Sequence, residues 1–115
     1  MIKTSYFGKL QNGSIEKKDC VSIALRNPKG LYIEKYNDLI PSKSILKEYK
    51  YNGGNWKKYV NKYVTEILHK LDVNKVAADL DGKILLCYEG KNNSESHRHL
   101  VAAWLRAYGY ECEEL

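Results

Sequence analysis

Five consecutive residues, Ile84, Leu85, Leu86, Cys87 and Tyr88, form an apolar run with no polar alternation. A strand with one wet face alternates apolar and polar side chains. An unbroken run of strand length therefore implies a strand covered on both faces, as in a parallel sheet. Parallel neighbours need crossover connections, so the chain must supply helices to flank that sheet. It does so immediately. The run stops at Glu89-Gly90, a polar loop rich in Asn and Ser follows, and Leu100, Val101, Trp104, Leu105 and Tyr108 then recur at helical spacing. Gly109 is a ready C-terminal stop for that helix, expected over 96–108.

The rest of the chain fits the same scheme. Residues 2–7 read as a first strand broken by Gly8, and 19–25 (DCVSIAL) as a second, ending in the loop Arg26-Asn27-Pro28-Lys29-Gly30. Residues 31–39 suit either a short helix or a packed loop. Ser42 is placed to cap a helix over 43–50, with Ile45, Leu46 and Tyr49 on its apolar side. Asn55 can cap the clearest helix, 56–71, where Trp56, Tyr59, Val60, Tyr63, Val64, Ile67, Leu68 and Leu71 repeat at three and four. Asp72 opens a shorter helix closed by Asp81-Gly82, and 110–115 is a final strand. Asp79 and Asp81 read as turn chemistry at the N-terminal edge of the sheet rather than as a carboxylate pair. The expectation is a single α/β domain over 1–115, Rossmann-like and three-layered, with a small, mainly parallel sheet of about four strands flanked by helices. Right-handed crossovers would bring the ends of the strands at Phe7, Leu25 and Tyr88 to one rim.

Composition excludes several classes. No apolar run approaches the roughly 20 residues of a membrane-spanning helix. The start, MIKTSYFGKL, lacks the apolar segment of a signal peptide, so a cytoplasmic location is expected. Cys20, Cys87 and Cys112 stand in strand-like contexts with no Cys-x-x-Cys spacing, which argues for buried thiols and against a metal site or a disulfide framework. No cofactor is implied. Charge is unevenly spread: residues 1–62 carry a net +8 and residues 63–115 a net −3. Such a basic half attracts phosphorylated ligands or nucleic acid, or is simply a solvated lysine surface. Lysines dominate it, and lysine reads base edges poorly beside forked arginine, so sequence-specific DNA recognition is disfavoured.

The segment LLCYEGKNNSESHRHLVAAWLRAYGYECEEL resembles the signature of the domain of unknown function 488 family. That signature is an apolar strand ending in Leu-Cys-x-Glu, a short loop, then Cys-His-Arg opening a helix. Leu86, Cys87 and Glu89 match the first part, and His97 and Arg98 match the second. The segments TSYFGKL, VSIAL and LIPSKSILKEYK are also similar to the family's smaller members. The resemblance implies a compact α/β domain and no settled activity. Ser96 stands where the family's motif carries its cysteine, so a metal or disulfide role for that position is not expected here.

In open α/β folds ligands collect where a strand's C-terminal end meets the next helix. That junction holds Glu89, Ser94, Ser96, His97, Arg98 and His99. Glu89 is the candidate general base and His97 a candidate proton relay. Arg98, with the helix amides and Ser94 or Ser96 as N-cap, is a candidate phosphate anchor, or else the partner of Glu89. Ser5, Tyr6 and Arg26 would complete the crevice from neighbouring strand ends. The first expectation is a pocket for a nucleotide or other small phosphorylated ligand, with catalysis left open. The alternative is a non-catalytic module binding nucleic acid or a protein through the basic N-terminal half.

Overall fold

A computed structural model describes the chain from Met1 to Leu115 except Asn52, Glu89, Lys91 and Asn92. Four strands form one all-parallel sheet: β1 (Ile2–Tyr6), β2 (Cys20–Ser22), β3 (Ile84–Cys87) and β4 (Cys112–Glu114). Their spatial order is β2-β3-β1-β4, with Lys3 to Tyr6 paired against Ile84 to Cys87 and Cys20 to Ser22 against Ile84 to Leu86. The expected small Rossmann-like α/β sheet is thus borne out, and the apolar run is a central strand. Leu85, Leu86 and Cys87 are fully buried, while Tyr88 leaves the strand and is 53% exposed.

The strand order decides which elements lie on which face. From β1 the chain moves two positions one way to β2, then back one to β3 and two to β4. A fixed right-handed crossover therefore puts the first connection on one face and the other two on the opposite face. The core divides accordingly. Ile2, Val21, Leu85, Cys87 and Cys112 pack against α2 (Lys43–Tyr51), α3 (Trp56–Glu66), α4 (Val73–Leu80) and α5 (His97–Ala107). Cys20, Ile84 and Leu86 face the other way, under the short α1 (Phe7–Gln11) and loop residues such as Leu31 and Ile33.

Several element ends differ from expectation. The first strand stops at Tyr6, and Phe7 begins α1 with Gly8 inside it. A Cβ on Gly8 would lie 2.9 Å from the Tyr6 ring, so the missing side chain lets that ring fold back over α1. The long helix ends at Glu66 and a 3-10 turn, Leu68–Lys70, replaces its last turn. Residues 31–39 are a packed loop, bridged to β2 at Ser22↔Lys35 and ending in a 3-10 turn at Asn37–Leu39. The caps agree with the sequence. Ile45 N donates to Ser42 Oγ at 3.1 Å and Lys58 N to Asn55 Oδ1 at 3.1 Å. Gly109, at φ 89°, lets Tyr110 N reach back to Leu105 O at 3.0 Å and end α5. Asp79 receives hydrogen bonds from Tyr36 and Lys75, and Asp81 pairs with the Met1 ammonium at the far edge from the strand C-termini.

Because β3 is packed on both faces, Leu85→Ala should lower unfolding free energy by about 2–5 kcal/mol, the usual cost of a core leucine truncation. Urea melts of the variant beside Lys70→Ala, an exposed change expected to stay within about 0.5 kcal/mol, check this.

Candidate functional site

The C-terminal end of β3 opens onto two different environments. On the α5 side, Ser96 is the N-cap residue and Arg98 the second residue of the helix. Arg98 is fully buried. Its Nε donates to both Glu114 oxygens at 3.1 and 3.0 Å, and Nη2 pairs with Oε2 at 2.9 Å. Nη1 donates to Cys87 Sγ at 3.1 Å and Ser96 Oγ at 3.2 Å, and Nη2 to Gly90 O at 3.1 Å. A guanidinium has five N–H groups, and each is directed at a protein acceptor. Glu114 is also fixed by Thr4 Oγ1, which donates to it at 2.6 Å. The Tyr6 ring lies 5.6 Å from the guanidinium carbon. Burial works to lower the Arg98 pKa, but the bonds to Glu114 and Cys87 outweigh it, and the net shift is upward. The group is a permanent buried cation tying β1, β3, β4 and α5 together.

On the other side lies a cavity of about 460 Å³ at the C-terminal ends of β2 and β3. Leu25, Pro41 and Leu46 give it apolar walls, with Cys87 and His97 behind them and Tyr88 at the rim. Three cations line it: Arg26 after β2, and Lys43 and Lys47 one turn apart on α2. Among the described residues the lining carries no carboxylate. His97 is buried, with Nε2 2.7 Å from Ile23 O. A carbonyl only accepts, so Nε2 carries the hydrogen. The Tyr63 ring packs 5.5 Å from the imidazole, and its hydroxyl donates to Leu39 O at 2.7 Å.

The expected site residues therefore separate. Arg26 and His97 meet at the cavity. Arg98 and Ser96 meet beneath it, Ser96 Oγ lying 2.8 Å from Cys87 Sγ, with no side-chain cap bond to α5. Ser94 is exposed. Tyr6 faces Arg98 rather than the cavity. Ser5 is fully buried on the α1 face, its hydroxyl without a hydrogen-bond partner among the described residues. Glu89 lies outside the described residues. His99 Nε2 sits 3.1 Å from Asn93 O. Sequence reasoning missed Lys43 and Lys47, which fall in the helix capped by Ser42, and Glu114, which falls in the final strand. The spacing of two lysines by four, opposite Arg26 across a strand-end loop, was the available signal.

Cys20, Cys87 and Cys112 are buried, and burial pushes the pKa of Cys20 and Cys112 up. Among the described residues no three His, Cys, Asp or Glu side chains gather as metal ligands would, and no helix is long and apolar enough to cross a membrane.

Fold and site together define a small Rossmann-like α/β domain with a cation-lined cavity at its strand ends. The chain belongs to the DUF488 family: residues 12–109 match DUF488-N3a, described as the active DUF488-N3 subclade. No curated protein and no solved structure matches the chain. Thr4 and Glu114, which complete the Arg98 cluster, lie outside the matched segment.

Arg98→Ala should cost about 3–5 kcal/mol, because it strands Glu114 and the other acceptors around a hole. Glu114→Gln alone should cost less, and in the Arg98→Ala background it should recover part of the loss. A double-mutant cycle on denaturant melts measures the coupling, and additivity of the two changes would show that the pair does not act as a unit.

Proposed function

We propose that the protein binds a small phosphorylated ligand of the nucleotide class in the cavity at the ends of β2 and β3. One observation carries this reading: Arg26, Lys43 and Lys47 converge on a cavity whose other walls are largely apolar. Its volume is in the range of small-molecule sites, and apolar walls with a few fixed polar groups are what such sites share. The cations meet the phosphate, Arg26 as a fork and the lysines as point charges. Leu25, Leu46 and Tyr88 offer the apolar contacts a base or sugar face needs. Arg98 holds the framework instead of the ligand, because its N–H groups are engaged within the protein. His97 presents an imidazole at the cavity wall. The matched subclade's description as active makes turnover the second measurement on any ligand found.

Thermal-shift titration against nucleoside mono- and diphosphates, sugar phosphates and inorganic phosphate should give a saturable rise in Tm for the first class. Arg26→Ala or Lys43→Ala should weaken binding about tenfold or more, from a charge-assisted hydrogen bond worth about 1.5–3 kcal/mol. Their own stability should hardly change, since all three cations are exposed. A panel without any shift, or a shift the triple variant keeps, would remove this reading.

A further inference from the structure

We propose that the nucleotide in this cavity is one unit of a single-stranded nucleic acid whose backbone leaves the cavity along α2. The proposal rests on the phosphorylated-ligand reading above and adds what the ligand is attached to. Lys43, Lys47 and Lys50 fall at i, i+4 and i+7 and so share one face of α2. The first two line the cavity, and the third continues the row outside it. The row is about 10 Å long, enough for more than one phosphate. It ends at Tyr51, which is 78% exposed. Across the mouth, Arg26 is followed by exposed Lys29 and Lys35, and Lys35 Nζ donates to Leu25 O at 2.7 Å, beside the cavity wall.

A free mononucleotide has no use for cations beyond the cavity, and a row of like charges repels itself. A polyanion uses the whole row. Carboxylates do little to cancel it: Glu48, on α2 itself, turns to Lys58 and Lys62 of α3. The half-exposed Tyr88 and the exposed Tyr51 at the two ends are apolar faces on which bases stack, the pairing of basic track and aromatic platform that single strands select. Duplex is disfavoured, because a base inside a stack cannot enter the cavity without being turned out of it. Lysine in place of arginine along the row predicts tolerance of sequence.

Fluorescence anisotropy with a labelled mixed-sequence single-stranded 12-mer, in DNA and RNA forms, tests this beside its duplex, its mononucleotides and polyglutamate. The single strand is expected to bind at least tenfold tighter than the others. With three phosphate contacts its affinity should fall roughly twentyfold between 50 and 200 mM salt. Lys50→Ala and Tyr51→Ala should each weaken the 12-mer several-fold and leave the mononucleotide thermal shift unchanged. Lys43→Ala/Lys47→Ala should abolish both. Equal binding of mononucleotide and 12-mer without a salt slope overturns this inference and leaves the cavity reading standing. Oligonucleotide binding that survives Lys43→Ala/Lys47→Ala overturns it too, as does polyglutamate matching the single strand. Absence of both mononucleotide and oligonucleotide binding removes the two readings together.

Discussion

The buried guanidinium of Arg98 is the constraint on which this small domain turns. Four strands of three to five residues give little sheet, and β4 is a three-residue edge strand paired only with β1. Such an edge has few ladder bonds to hold it. Arg98 supplements them by gripping Glu114 with its Nε and Nη2 while Thr4 holds the same carboxylate from β1. The same side chain reaches Cys87 at the end of β3 and Gly90 in the following loop. A buried ion pair of this kind adds little net stability over an apolar replacement, since desolvation offsets most of the attraction. What it does supply is geometry. Its planar fork permits one arrangement of strand end, loop and helix start, and the cavity wall at Cys87 and His97 inherits that arrangement.

The cavity lies one strand away from the topological switch point. The chain diverges between the adjacent β1 and β3, whose connections leave through opposite faces, whereas the cavity is lined from the ends of β2 and β3. On the helical face α2 arrives over the ends of β2 and β3 and brings Lys43 and Lys47 with it. On the opposite face the short α1 and loop residues such as Ile15, Leu31 and Ile33 cover the sheet. The asymmetry of the cover thus explains why the cations stand where they do.

Elements dominated by burial were legible in the sequence. Residues 84–87 announce a two-sided strand, and α4 and α5 show their buried faces at the right period. Periodicity misleads where a helix breaks without leaving its stripe: Leu68 and Leu71 still face the core beyond Glu66, so the pattern runs on through a 3-10 turn. It is silent where a helix is too short to repeat, as in α1. Of the site, Arg26 and His97 could be placed because each follows a strand or opens a helix at the C-terminal rim. The partner of Arg98 could not. Glu114 is sixteen residues away on a strand whose register depends on pairing with β1, and no local pattern encodes that.

The distribution of basic residues makes physical sense once both environments are seen. The chain has three arginines among nineteen basic residues. Arg98 and Arg106 both secure β4, Arg106 through Nη1 to Cys112 O at 2.8 Å. Forked, weakly hydrated guanidinium groups suit such partly or fully buried bonds, where a lysine would lose its hydration without matching the geometry. Lysines occupy the exposed row on α2, where a hydrated point charge on a flexible stem keeps its solvation. The third arginine, Arg26, stands exposed at the cavity. That division by chemistry separates the residues that shape the strand ends from those exposed at the cavity, although both groups meet at the end of the same strand.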